Sequence, residues 1–104
     1  MTESGIVKGR ESFLFELDDV IESRRNANSD ISYTSKLLNG DINRLLQKVG
    51  EESIEYILEA TRGNKVKVVS EAADLLYHFM VSLHGLNLTL KDIQEELKNR
   101  HNVK

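Results

Sequence analysis

Four carboxylates, Glu52, Glu55, Glu71 and Asp74, stand out because they fall as mirror images about Gly63. They form E-x-x-E in Glu52-Ser53-Ile54-Glu55 and E-x-x-D in Glu71-Ala72-Ala73-Asp74. If Gly63 turns an antiparallel helix pair, Glu55 faces Glu71 and Glu52 faces Asp74. Flanking them, Glu59 faces Lys67 and Lys48 faces His78. The two acid levels then lie roughly 4.5 Å apart along the axis. Axes about 8–10 Å apart leave room for hydrated cations between them. Two unit charges about 5 Å apart repel by roughly 3 kcal/mol even at an effective dielectric of about 20. Acids so placed must protonate or bind a cation. An all-oxygen ligand set suits Mg²⁺, with Mn²⁺ as a substitute, and such a metal completes its shell with water and substrate phosphates. The chemistry expected is metal-assisted attack on a phosphate ester or anhydride. Zinc fits poorly, since the chain has no cysteine and His78 stands alone at the strip's end. A di-iron bundle needs Glu-x-x-His pairs, which do not occur.

The elements that must position these acids follow from periodicity. Phe13, Leu14, Leu17, Val20 and Ile21 recur at helical spacing and predict a first helix from about Arg10 to Arg25. Asn26 to Asp30 breaks it, and Ser32-Tyr33-Thr34 opens a connector or short helix that stops at Asn39-Gly40. Asp41 is a candidate N-cap for a helix over about Ile42–Arg62. On that helix Lys48, Glu52, Glu55 and Glu59 share a strip about 60° wide, with Glu51 about 40° beyond its edge. Gly63 suits a left-handed C-terminal position. The next helix, about Lys65–His84, is apolar over most of its circumference, its polar strip being Lys67, Glu71, Asp74, His78 and Ser82. Such a helix is expected to be buried. Its acids would then face something specific, and its need for cover predicts a homo-oligomer, most simply a homodimer. Thr89 is a candidate N-cap for a last helix ending near His101. The expected fold is all-α, a four-to-five-helix bundle with a central antiparallel hairpin carrying the acids.

Length and composition bound the rest. A chain of 104 residues is one domain, read here as a loose polar arm over residues 1–9 and a single domain over 10–104. The absence of cysteine fits a reducing compartment. No signal peptide and no apolar run of membrane-spanning length is present, so a cytoplasmic chain is expected. A net charge of −3 weighs against nonspecific nucleic-acid binding. It also opposes an anionic substrate, unless bound cations invert the local field. Lys48, one turn before Glu52, is suited to hold a phosphate or simply to pair with the acid. His78 on a packed helix reads first as a hydrogen-bonded core residue, and His84 and His101 as surface or turn residues. No P-loop, dinucleotide fingerprint or Ser/Cys-His constellation is present.

Three stretches, Ser32-Tyr33-Thr34, Lys48-Val49-Gly50-Glu51-Glu52-Ser53-Ile54-Glu55 and Glu71-Ala72-Ala73-Asp74-Leu75-Leu76-Tyr77-His78, resemble the phosphoribosyl-ATP pyrophosphohydrolases of histidine biosynthesis. Glu96 to His101 is similar to that family's C-terminal signature, and the resemblance covers about residues 10–101. The paired E-x-x-E and E-x-x-D motifs alone mark the wider all-α MazG-like superfamily; the other stretches narrow it. The resemblance implies Mg²⁺-dependent hydrolysis of 1-(5-phosphoribosyl)-ATP to 1-(5-phosphoribosyl)-AMP and pyrophosphate, by a helical oligomer. It also implies the stand-alone form, without the cysteine-bearing cyclohydrolase to which the activity is often fused. In that frame Glu52, Glu55, Glu71 and Asp74 hold the metal, and Glu51 acts as base or orients the water. Lys48 and Arg100 are candidates for flanking phosphates, while Ser32, Tyr33, Thr34 and His78 belong to the substrate pocket. The alternatives are a house-cleaning enzyme for noncanonical nucleotides and a helical dimerisation module with structural acids.

Overall fold

The computed structural model describes the backbone of residues 2–103 and the side chains of residues 13–101. All of its regular elements are helical: α1 (Thr2–Ser23), α2 (Tyr33–Leu38), α3 (Ile42–Arg62), α4 (Lys65–Gly85) and α5 (Leu90–Val103), with a 3₁₀ turn over Arg24–Asn26. Among the described residues no strand occurs. Helix α1 begins at Thr2 rather than near Arg10, so helical backbone runs through the stretch read as a loose arm. Met1 and the side chains of residues 1–12 lie outside the described residues.

Each helix end has a local cause. The Asp41 side chain accepts from the Asn43 amide at 2.9 Å and starts α3. Gly63, at φ +76°, ends it, and its N–H donates to the Glu59 and Ala60 carbonyls. Asn64 then caps α4 by accepting from the Lys67 amide. At α5, Asp92 reaches back to accept from the Thr89 amide at 2.8 Å, satisfying an otherwise orphaned donor. These one-residue stops turn α3 straight back into α4, and this pair packs together more extensively than any other.

The core is small. Ile21, Leu45, Met80 and Val81 are buried together, with Leu17, Leu37, Ile42 and Tyr77 packed against them. Gly85 lets the end of α4 pass the start of α3, since a Cβ there would sit 2.8 Å from Ile42 Cδ1. Burial of α4 is confined to its second half, from His78 to His84. Its first half is open, with Val66 81% and Val69 69% exposed. The expectation of a helix covered all round therefore holds within the chain only for the half that α1 and α2 reach.

His84 departs from its expected surface position. It is 1% exposed, with Nε2 2.8 Å from Asp18 Oδ1 and Nδ1 2.7 Å from Glu22 Oε1. Each ring nitrogen thus has a carboxylate oxygen within hydrogen-bond distance. Asp18 Oδ2 also accepts from the Leu90 amide, and Arg25 donates to the His84 carbonyl at 2.7 Å. One polar cluster thus ties α1, the 3₁₀ turn, α4 and the start of α5. Glu22, half exposed, is pulled down to about 2 by hydrogen bonds from Arg25 and then His84.

Asp18→Ala would leave the Leu90 amide without its acceptor and a buried imidazole nitrogen without its partner. It should cost about 3 kcal/mol, read from the midpoint of urea unfolding. Because the Glu22 carboxyl is depressed in the fold, its contribution is complete above its ordinary value of 4.5 and fades as pH falls toward about 2. Half exposure keeps that contribution modest. Glu22→Gln should flatten the loss of melting temperature over that acid window.

Candidate active site

The α3–α4 hairpin brings Glu55, Glu59 and Asp74 around Glu71, while Glu52 lies against His78. Glu52 Oε1 lies 2.7 Å from His78 Nδ1, so Glu52 meets His78 rather than Asp74, and Lys48 does not pair with His78. Glu59 pairs with Arg62 of its own helix at 3.3 Å rather than with Lys67. The reason is the tilt of every Cα–Cβ bond toward its helix N-terminus. On α3 that tilt carries side chains away from Gly63; on α4 it carries them toward it. This tilt places Glu52 beside a residue about a turn farther along α4 than simple mirror symmetry gives. Glu55 still reaches Glu71, and Glu59 acts on Glu71 as well.

The electrostatics show a face with excess negative charge. Partial burial, then the charges of Glu55, Asp74 and Glu59, push the Glu71 carboxyl above its ordinary range. Glu52 is 8% exposed, and its Oε1 is buried without a hydrogen bond. The short approach of His78 Nδ1 does not satisfy it, because that N–H is directed at the Asp74 carbonyl, 3.0 Å away. Nε2 hydrogen-bonds with the Tyr33 hydroxyl at 2.9 Å. Glu55 and Asp74 are exposed, so the strip lies at a surface rather than inside the chain. Among the described residues no three acidic or histidine side chains are already gathered tightly enough to hold a metal ion. Crowded all-oxygen donors with an orphaned acceptor nonetheless fit a hard divalent cation, given rotation of the exposed Glu55 and Asp74 side chains.

The segment before α2 is tied down locally. Ser32 caps α2 by accepting from the Ser35 amide at 3.1 Å, and the buried Thr34 hydroxyl bonds to that of Tyr77. Ser35, fully buried, donates to the Ala27 carbonyl at 2.6 Å. Of the three residues Ser32, Tyr33 and Thr34, the first caps the helix backbone and the last ties α2 to α4, while Tyr33 presents its ring to a cleft. That cleft, about 720 Å³, runs between α2 and the first half of α3, with Tyr33, Lys36, Arg44, Lys48 and Glu51 among its walls. Glu51 is exposed there and accepts from Gln47 at 3.2 Å. His78 is buried behind Tyr33 with both ring nitrogens engaged, the position of a hydrogen-bonded core residue. Arg100 lies apart: it pairs with Glu96 on α5, which packs on α1.

Lys36 and Arg44 escaped sequence reasoning, since neither lies on the acid strip. A faint signal existed in the spacing of Arg44 and Lys48, one turn apart on α3, but the wall that Lys36 adds comes only from the fold. The Tyr33–His78–Glu52 chain was likewise illegible, as it joins α2, α4 and α3 across long separations.

In metal-free buffer, Glu71→Gln should raise the melting temperature at neutral pH, because it removes a charge from a crowded face. A carboxyl raised in the fold stabilises below its ordinary value and loses that contribution as pH climbs through the raised value. Glutamine mimics the protonated form and should flatten that dependence. Unchanged or lower stability would show that Glu71 is held by favourable contacts instead.

Residues 14–101 match the phosphoribosyl-ATP pyrophosphohydrolase family, PRA-PH. A phosphoribosyl-ATP pyrophosphatase of Ruegeria pomeroyi is 45% identical over 89 residues, covering 86% of this chain and 85% of that protein. The histidine biosynthesis bifunctional protein HisIE of Buchnera aphidicola from Acyrthosiphon pisum is 45% identical over 89 residues, covering 86% of this chain and 41% of that protein. The HisIE protein of Campylobacter jejuni is 45% identical over the same length, with 43% of that protein covered. The chain thus spans about two fifths of the bifunctional relatives it matches.

Proposed function

Because the chain belongs to the phosphoribosyl-ATP pyrophosphohydrolase family, we propose that it hydrolyses 1-(5-phosphoribosyl)-ATP to 1-(5-phosphoribosyl)-AMP and pyrophosphate, a step of histidine biosynthesis. The observation that carries this reading is the crowded acid face of α3 and α4, where Glu71 is driven toward its protonated form and Glu52 Oε1 is buried against His78 without a hydrogen bond. Such a face lowers its free energy by taking up positive charge. We infer that Glu52, Glu55, Glu71 and Asp74 hold Mg²⁺, with Mn²⁺ as a substitute. When bound, the ion supplies charge neutralisation for the departing pyrophosphate.

The protein's own groups have separate tasks in this reading. His78, fixed by the Asp74 carbonyl and the Tyr33 hydroxyl, packs against the Glu52 carboxylate without a hydrogen bond to it. Glu51, exposed at the cleft's acid end, accepts the proton of the attacking water. Lys48, half-buried on the strip one turn from Glu52, holds a phosphate oxygen and offsets charge as the anhydride bond breaks. Ser32 and Thr34 act through their hold on α2, so that Tyr33 lines the nucleotide pocket. Arg100 would join such a site only from another subunit. The open apolar half of α4, together with Ile54 (60% exposed) and Ile57 (56%) on α3, supports a homodimer built across the hairpin. Among the described residues no helix is long and apolar enough to cross a membrane, which is consistent with a cytoplasmic enzyme.

Glu52→Gln and Asp74→Asn should each abolish pyrophosphate release while leaving the helical circular dichroism unchanged. Mg²⁺ should raise the melting temperature of the unaltered protein and have little effect on either variant. A panel of phosphoribosyl-ATP, dCTP and dUTP with Mg²⁺ tests the substrate. Turnover confined to phosphoribosyl-ATP supports the reading, turnover of the ordinary nucleotides points to a house-cleaning enzyme, and none at all to a structural module. Sedimentation should give twice the chain mass of 11.8 kDa.

A further inference from the structure

The cleft beside the acid face is basic on balance in a chain whose net charge is −3: three cations stand on its walls against two carboxylates, Asp41, whose side chain caps α3, and Glu51, which accepts from Gln47. Lys36 extends from α2, and Arg44 and Lys48 lie one turn apart on α3, all three on the walls of the same cleft. Among the described residues none of the three forms an ion pair, although Arg25, Arg62, Lys98 and Arg100 all do. Like charges one helical turn apart are unfavourable on their own, and a third cation across a cleft adds to that cost. An anion between the walls would offset it, and both side-chain types bind phosphate.

The cleft is continuous with the acid face. Lys48 shares the strip of Glu52, and Tyr33 in the cleft wall bonds to His78, which touches Glu52. Along α3, Arg44 lies eight residues before Glu52, about 12 Å at the helical rise. That sets Arg44 about two helical turns from the acids. It suits a second phosphate, carried by another part of the same substrate. A nucleoside triphosphate bears phosphate at one end only, whereas the substrate proposed above carries a phosphate monoester on its second ribose as well.

We propose that Lys36 and Arg44 bind the phosphate monoester of the second ribose and so select a nucleotide phosphorylated at both ends over ordinary nucleoside triphosphates. This rests on the reading of the reaction given above, and it adds two residues with a specificity role. Lys48 stands at the junction, between the two anionic ends of the bound molecule.

The test is calorimetric binding of phosphoribosyl-AMP and of AMP to the full chain, its Lys36→Gln and Arg44→Gln variants and the double variant. Both side chains are exposed, and unchanged melting temperatures will show that the variants fold. The unaltered protein should prefer phosphoribosyl-AMP by about tenfold or more, the scale of charge-assisted phosphate contacts, and the double variant should lose that preference. In turnover, KM for phosphoribosyl-ATP should rise about tenfold per substitution with kcat altered less than about threefold. Equal weakening of both ligands would assign the cations to the polyphosphate end and overturn the proposal, as would a preference that survives in the double variant. Absence of phosphoribosyl-ATP turnover by the unaltered protein would overturn the reaction alone, because the binding preference and its loss are measured without catalysis.

Discussion

The antiparallel contact of α3 with α4 fixes every other feature of the site, because it forces carboxylates on two helices to share one face. Gly63 in a left-handed conformation reverses the chain within two residues and leaves no slack for the helices to diverge. Once they lie side by side, Glu71 stands among Glu55, Glu59 and Asp74, and its carboxyl is pushed toward the neutral form. The hairpin is therefore held together partly against its own electrostatics. Apolar packing around Leu45, Met80 and Val81 and the polar ties at its far end oppose that repulsion.

Two buried histidines on α4 handle opposite problems with the same side chain. His84 stands between Asp18, which is buried, and Glu22, which is half exposed, with a carboxylate oxygen against each ring nitrogen. His78, six residues earlier, donates from Nδ1 to the Asp74 carbonyl and hydrogen-bonds through Nε2 with the Tyr33 hydroxyl. It leaves Glu52 Oε1 close by but unsatisfied. The first arrangement closes a cluster and stabilises the fold. The second leaves an acceptor open beside the acid face, which is what a functional carboxylate needs. Position on the helix decides the difference: α1 and the start of α5 close over His84, whereas His78 faces the hairpin and α2.

Polarity is segregated along α3 in the same way. Its first half lines the cleft with Arg44 and Lys48, and its second half carries Glu52, Glu55 and Glu59. A ligand lying along this helix would meet cations first and carboxylates after. That order is compatible with an extended polyanion only if positive charge is brought to the acid end. The separation of signs thus links the proposed metal requirement and the proposed second phosphate contact to a single feature of one helix.

Much of this was legible in local sequence. Helix periodicity, the Asp41 cap and the Gly63 stop placed α3 within its observed bounds, and the E-x-x-E and E-x-x-D spacing put the acids on one strip of each helix. These are determined by interactions within a few residues, so the sequence alone suffices for them. What it left open were relations between distant elements. The one-turn shift that pairs Glu52 with His78 depends on Cβ tilt and helix crossing, which mirror counting ignores. The burial of His84 depends on Asp18 and Glu22, more than sixty residues away. The basic cleft exists because Ser35 and Asn39 fasten α2 against the 3₁₀ turn and the loop after it, putting Lys36 opposite Arg44. Composition and spacing thus determined which groups this protein has and which helix face each occupies. Only the packing of five helices decided which of those groups meet, because contact between elements is set by crossing geometry and long-range burial that no local pattern encodes.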